Sequence, residues 1–354
     1  MIIGGACEDS MKKMKSRSEF QTSKPRAIAM LSGGLDSTLA AAVVKRAGID
    51  VIGLSVQNMF GTNRRRREHL EHAAAQLGIQ LRVLDKSEEH LDVVRHPRHG
   101  YGAGMNPCVD CRIFMLRVAQ EVMEEEGAQF VVTGEVLGQR PMSQHRRALL
   151  LVAEESGLGD RLLRPLSANL LPETLPVKKG WIKREDLYSI SGRSRAPQRA
   201  LAEELGIADY PQPAGGCLLT EKVYSARLRD AFSRLGPDGV DREGFLLLRY
   251  GRHFRLSDTV KVIIGRNETE NSILAGFSSG RIVLEPIGTM GPTSLVEGNP
   301  SRSELLLAAA LAGRYCDRSG EDPLSFEVRK DDSVETITVT PLSPDDLRIE
   351  SWRI

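Results

Sequence analysis

Three stretches of this chain carry reactive or ligand-holding residue types at spacings that let them act. The first is Ser32-Gly33-Gly34-Leu35-Asp36-Ser37, preceded by a short apolar run over 27–31 and followed by Leu35, Leu39, Ala42, Val43 and Arg46 at helical spacing. A strand that stops and a helix that starts inside one hexapeptide aims several backbone N–H groups at one point. The helix start adds partial positive charge, so an anion of phosphate size is the natural occupant. The two glycines let backbone approach backbone, and the lack of a Lys after them excludes the G-x-x-x-x-G-K-[ST] loop. The second stretch is Asn106-Pro107-Cys108-Val109-Asp110-Cys111-Arg112, which opens a helix running through Phe114, Leu116, Val118, Val122 and Met123. A C-x-x-C there brings two sulfurs together where the helix dipole favours thiolate, which suits persulfide chemistry or cluster ligation. The third is Cys217 in Gly215-Gly216-Cys217, where the glycines give access and let the chain turn toward a partner.

These residues need a frame. Apolar runs over 27–31, 51–56, 79–84, 130–133 and 162–166 read as strands, and helical patterns lie between several of them. Strands alternating with helices predict an α/β fold, a parallel sheet with helices on both faces. Ligands of such sheets sit at the carboxyl ends of strands where the strand order reverses. Ser55, at the end of the second strand, is therefore either near an adenine or ribose or an ordinary strand-end serine. The run Asn63-Arg64-Arg65-Arg66-Arg67 either contacts RNA phosphates or a triphosphate, or is solvated. Between 85 and 107 the apolar period disappears, which reads as a functional loop. Its His90, His96 and His99 fit no zinc-finger spacing and read as surface residues.

The hexapeptide Ser32 to Ser37 resembles the PP-loop of the ATP pyrophosphatases, which split ATP between the α and β phosphates and pass AMP to a carbonyl oxygen. With a C-x-x-C and a distal Gly-Gly-Cys beside it, the chain over residues 24–222 resembles the tRNA thiouridine synthases. Asn106-Pro107-x-x-x-Cys111 resembles the Asn-Pro-Asp-x-x-Cys motif of bacterial 2-thiouridylases, with Cys108 standing where those enzymes often carry Asp. The resemblance implies a PP-loop fold of the adenine nucleotide alpha hydrolase-like, Rossmann-like class. It implies ATP and Mg²⁺ as cofactors, with Ser32, Gly33, Gly34, Asp36 and Ser37 at the phosphates, Ser55 close by, and Gly134 against the AMP moiety. Cys108, Cys111 and Cys217 are implied as the sulfur-handling residues. Their three-cysteine arrangement resembles relatives in which three thiolates hold a [4Fe–4S] cluster and leave one iron open; a persulfide route would need only Cys111 and Cys217. Cys7 and Cys316 show no partner spacing for a four-cysteine zinc site.

Composition bounds the rest. At 354 residues, two or more domains are the default. The spacing and the resemblance together divide the chain into a tail over 1–24, a catalytic domain over 25–224 and an α+β accessory domain over 225–354. Lys and Arg total 48 against 47 Asp and Glu, so an RNA-binding face must be local. Candidates are Arg193, Arg195 and Arg199, which otherwise read as a solvated helix start, and in the last third Arg249, Arg252, His253, Arg255, Lys261 and Arg266 with Tyr250 and Phe254 interleaved. Arg140 and Gln144 after the fourth strand are candidates for the triphosphate or a flipped uridine, or are explained by loop polarity alone. That last third also has a faint similarity to the RNA-binding domain of ribosome quality-control factors. It shows strand-like runs over 245–248, 260–264, 281–284, 324–328 and 336–340, and Ser301-Arg302-Ser303-Glu304 has capping-box form. Five Cys, an odd number, argue against a disulfide framework and for a reducing, cytoplasmic setting. No apolar run approaches the roughly 20 residues of a membrane helix, and the opening Met1 to Cys7 has neither the charged leader nor the apolar core of a secretion signal.

The expected reaction is ATP-dependent thiolation of a tRNA uridine. A uracil carbonyl oxygen is adenylated, with Asp36 orienting the metal or capping its helix, and sulfur from a sulfide or persulfide carrier displaces AMP. Two other readings stand beside it: an amide- or nitrile-forming ligase of the same superfamily, and a non-catalytic RNA-binding Fe–S protein.

Overall fold

The computed structural model describes residues 24–62, 65–211, 216–317, 322–343 and 345–354. The tail over 1–23 with Cys7, Asn63 and Arg64 of the arginine run, and 212–215 ahead of Cys217 lie outside the described residues. In chain order the first elements are β1 (Arg26–Met30), α1 (Leu35–Arg46), β2 (Asp50–Gln57), α2 (Arg66–Leu77) and β3 (Gln80–Asp85). Next come α3 (Ser87–Arg95), α4 (Cys108–Glu125), β4 (Phe130–Val132), α5 (Arg146–Glu155), β5 (Leu162–Leu163), α6 (Leu175–Lys178) and α7 (Ala196–Glu204). The last third holds α8 (Lys222–Leu235), α9 (Arg242–Leu247), β6 (Arg252–Arg255), β7 (Lys261–Ile264), α10 (Glu268–Ala275), β8 (Ile282–Ile287), β9 (Ser294–Glu297), α11 (Arg302–Gly313), β10 (Leu324–Lys330), β11 (Ser333–Val339) and α12 (Arg348–Trp352). Among the described residues no helix is long and apolar enough to cross a membrane.

Two compact units result. The first comprises 1–56, 65–84 and 115–213; the second comprises 57–64, 85–114 and 214–354. In the first, a five-stranded sheet runs β3-β2-β1-β4-β5, with β1 parallel to both β2 and β4 and β4 parallel to β5. The strand order reverses between β1 and β4, so the predicted α/β sheet places its ligand crevice beyond Met30 and Val132. Ala27 and Ala29 of β1 and Leu39, Val43 and Val44 of α1 are buried together with Phe130 and Val132 of β4. Each of the larger side chains contributes roughly 1.5–3 kcal/mol, which fixes where α1 begins. The fifth strand is shorter than its apolar run, because the chain after Leu163 delivers Arg164 into the interior. Arg164 Nε donates to Glu135 Oε2 (2.9 Å) and its Nη2 to the Leu149 carbonyl (3.0 Å), with both side chains 4% exposed. Replacing Arg164 by Leu removes the guanidinium from a buried carboxylate. A loss of about 3–5 kcal/mol is expected in urea unfolding, and a loss within experimental scatter would contradict a charged pair at that site.

The second unit carries a six-stranded sheet, β11-β10-β8-β9-β7-β6, with antiparallel pairing throughout. Phe254, Val262, Leu284, Val296 and Phe326 on it pack with Ala308, Leu311 and Ala312 of α11. The capping box at Ser301 and Glu304 forms as its sequence predicts. A separate apolar cluster of Phe60, Leu91, Val94, Met105, Leu219, Tyr224, Leu228 and Phe245 gathers α3, α8 and α9 around the segments that bear the cysteines.

Two expectations are corrected here. The stretch over 85–107 is not structureless: α3 buries His90, Leu91 and Val94. Its apolar period was hidden because a histidine fills one inward position. The run over 245–248 is helical, because Asp241 caps α9 by accepting from the Gly244 N–H (2.7 Å). Leu246 and Leu247 extend an apolar run whose local start signal outweighs strand propensity.

Candidate active site

The first part of the site is the turn after β1. Leu31 N–H still pairs with the Leu54 carbonyl (2.7 Å), and the chain then turns into α1 with Gly34 as N-cap and no side chain capping it. The first-turn N–H groups of α1 are thus left for an anion. Ser37 holds the turn closed: its hydroxyl accepts from Ser32 N–H (3.2 Å) and donates to the Gly34 carbonyl (2.9 Å), while Ser32 Oγ lies 3.1 Å from it. Ser32 is exposed, and Gly33 is buried against His69 of α2. Asp36 Oδ2 accepts from Gln139 Nε2 (3.0 Å) and faces Arg195 Nη2 (3.5 Å), while its Oδ1 is buried with no hydrogen-bond partner among the described residues. Gly134 lies directly against this turn, since a Cβ there would fall 2.4 Å from the Asp36 carbonyl oxygen.

Ser55 is fully buried at the end of β2. Arg66 Nη2 lies over it, donating to the Val56 carbonyl (3.0 Å) and approaching Ser55 Oγ (3.4 Å). Of the arginine run, Arg66 therefore folds back onto the sheet and Arg67 pairs with Glu71. Gln144 is buried, and Arg195 turns to Asp36 rather than outward. The partners of Asp36 were not legible in sequence, because Gln139 and Arg195 come from two separate loops.

The second part is the group of thiols, all within the second unit. Cys108 and Cys111 stand on the first turn of α4, with Cys111 N–H bonded to the Pro107 carbonyl (2.8 Å). The Cys217 segment is pinned from two sides. Leu218 N–H donates to the Phe60 carbonyl (2.9 Å), Thr62 Oγ1 to the Gly216 carbonyl (2.9 Å), and Met105 N–H to the Leu219 carbonyl (2.8 Å). Gly104 makes the last contact possible: with φ of +67° and a hypothetical Cβ 2.4 Å from the Leu219 oxygen, no larger residue fits. Burial pushes the Cys217 thiol up to about 11; a hydrogen bond from the Leu219 backbone opposes this, and the nearby Cys108 charge adds to it. All three thiols are half-buried. Deprotonating them together requires a cationic partner. Among the described residues no group of three His, Cys, Asp or Glu is arranged to hold a single metal ion.

Of the three histidines read as surface residues, His90 is buried at this centre, while His99 and His96 are exposed as expected. His90, 1% exposed, places Nε2 3.1 Å from Cys111 Sγ, and burial lowers it to about 4. His99 holds Asp110 of the C-x-x-C turn, with Nδ1 2.9 Å from Oδ1 and its backbone N–H donating to Oδ2 (3.0 Å). His96, by contrast, is solvent-facing beside Asp238.

The basic face expected in the last third does not form as read. Phe254, His253 and Lys261 are buried. Lys261 pairs with Glu297, Arg255 with Asp230 and Arg266 with Glu270, and Arg252 lies 4.6 Å from the centre of the Tyr315 ring. Arg255 on β6 and Lys261 on β7 are thus neutralised within the fold, while Arg266 is half exposed and held by Glu270.

Residues 22–169 match the family described as thiamine biosynthesis protein (ThiI), and residues 251–353 match the NFACT protein RNA binding domain. The chain is 30% identical over 247 residues to a tRNA-specific 2-thiouridylase MnmA of Azorhizobium caulinodans, covering 64% of this chain and 59% of that protein. It is 31% identical over 247 residues to the protein of the same name from Xanthobacter autotrophicus, with the same coverage of 64% and 59%. The chain thus spans less than two thirds of the length of these relatives. A solved 4-thiouridine synthetase–RNA complex with bound ATP overlaps 52% of each chain at 18% identity, with a TM-score of 0.34.

Proposed function

We propose that this chain thiolates a tRNA uridine at the expense of ATP. The carrying observation is that the Cys217 segment is pinned to Phe60, Thr62 and Met105 on the unit that also holds Cys108 and Cys111, in a chain whose other unit presents, among the described residues, a helix start without a side-chain cap at a sheet switch point. In the first half-reaction a uracil carbonyl oxygen attacks the α phosphorus of ATP and pyrophosphate leaves. The N–H groups at the start of α1 stabilise the phosphates, and Asp36, whose Oδ1 has no hydrogen-bond partner among the described residues, would hold Mg²⁺. In the second half-reaction sulfur attacks the ring carbon, the C–O bond breaks, and AMP departs with the oxygen. The adenylate makes a poor leaving group into a good one. Functionally, 25–224 is the proposed sulfurtransferase domain and 225–354 the accessory domain that engages RNA, in keeping with the RNA-binding match over 251–353.

We also propose that Cys108, Cys111 and Cys217 would hold a [4Fe–4S] cluster, whose charge would offset the cost of ionising the buried Cys217. When bound, a cluster with one iron lacking a protein ligand supplies an open position for hydrosulfide. Cys111 and Cys217 alone would suffice for a persulfide route.

The test incubates the full chain with ATP, Mg²⁺, sulfide and tRNA, and follows thionucleosides by mass spectrometry alongside pyrophosphate. Thiouridine formed together with pyrophosphate is the expected result. Pyrophosphate release without thionucleoside points to a nitrogen-using ligase, and neither product points to a binding protein.

A further inference from the structure

Helix α3 sends His90 inward between two rings, 5.7 Å from the centroid of Phe60 and 5.6 Å from that of Phe114. The other inward residues of α3 are Leu91 and Val94, so an apolar side chain would pack here at no polar cost. His90 instead places Nε2 3.1 Å from Cys111 Sγ, and its Nδ1 is buried with no hydrogen-bond partner among the described residues. The sulfur is the polar contact that accounts for a histidine at this position.

A neutral imidazole carries one proton, on Nδ1 or on Nε2. The location of that proton follows from the states Cys111 must visit. As a thiolate, as a persulfide or bound to metal, Sγ carries no hydrogen. A proton on Nδ1 would then bury a donor without an acceptor and set the Nε2 lone pair against a sulfur lone pair. Only the Nε2–H tautomer keeps the contact attractive in all three states. The same turn is braced by His99 through Asp110, so α4 cannot easily rotate Cys111 away from His90.

We propose that His90 is the positioning residue of Cys111: its neutral imidazole donates Nε2–H to the cysteine sulfur and fixes both the direction and the electron density of that sulfur. This rests on Cys111 being a working thiol, as argued above. A donor of this kind orients a ligand sulfur and withdraws charge from it, as outer-shell groups do around bound metals.

The test uses the full chain with His90→Phe, which keeps an aromatic ring and removes the donor, and His90→Gln, which restores one. In metal-free protein at one near-neutral pH, iodoacetamide labelling is followed by peptide mass. Cys111 is expected to react several-fold more slowly in H90F, with Cys108 unchanged as internal reference and H90Q recovering toward the parent. Equal Cys111 rates in H90F and the parent overturn the proposal. After anaerobic loading with iron and sulfide, the cluster midpoint potential is expected to fall in H90F and recover in H90Q; an unshifted potential in loaded H90F also overturns it. If the parent chain takes up no iron, the cluster reading fails, and the labelling arm alone decides on His90. Should phenylalanine overfill the site and unfold the chain, H90L replaces H90F in both arms.

Discussion

Gly134→Ala is expected to weaken ATP binding about 100-fold, the cost of misplacing binding groups by roughly an ångström. The added Cβ would lie 2.4 Å from the Asp36 carbonyl oxygen and 2.5 Å from both the Asp36 carbonyl carbon and the Ser37 nitrogen. Ordinary contact needs about 3.5 Å, and every atom in the way is backbone. Neither side can swing aside. β4 is bonded into the sheet on both edges, and α1 is anchored by Leu35 and Leu39 in the core. The displacement therefore falls on the turn from Ser32 to Ser37, whose N–H groups lose their common aim. Overpacking of this kind also costs about 1–3 kcal/mol of stability. Calorimetric titration with ATP and a thermal melt measure the two effects. Affinity close to the parent's in a folded variant would mean that the loop after β4 does not hold the nucleotide turn.

Replacing Cys108, Cys111 or Cys217 singly by Ala is expected to reduce thiolation below detection and leave ATP affinity unchanged. The thiols and the Ser32 to Ser37 turn lie in different compact units, and each substitution removes one half-buried sulfur. Cys316→Ala is the internal control. Its sulfur is buried in the apolar cluster beneath the antiparallel sheet, so that variant should lose about 1 kcal/mol of stability and keep its thiolation. Thionucleoside yield per tRNA and ATP titration decide the matter. Parent-level thiolation in any one of the three would remove that cysteine from the chemistry.

Much of the first unit was legible because its signals are local. β1, the glycine turn and α1 follow one another with clean apolar spacing, and each of the five strands was readable as an apolar run, though the last is shorter than its run. The missing parts depend on distant residues. Nothing near His90 in sequence says that Cys111 will stand beside it, and a histidine at an inward position of α3 broke the very periodicity that would have exposed the helix. The basic residues around β6 misled for the converse reason. Arg255 and Lys261 read as a surface for phosphates because Asp230 and Glu297, which neutralise them, lie outside the local window, whereas Arg266 pairs with Glu270 one helical turn on. The structure places the three thiols on one unit; their chemical role is the subject of the substitutions above.

The second unit is assembled from three separated stretches, 57–64, 85–114 and 214–354. During synthesis, Cys108 and Cys111 leave the ribosome well before Cys217 and its neighbours Gly216, Leu218 and Leu219, which pair with Thr62, Phe60 and Met105. At about 5–20 residues per second, that interval lasts on the order of 5–20 s. A nascent chain in this window carries two uncovered sulfurs and a half-built apolar cluster. Oxidants and chaperones thus meet the Cys108–Cys111 pair before the Cys217 segment of the same unit has been made.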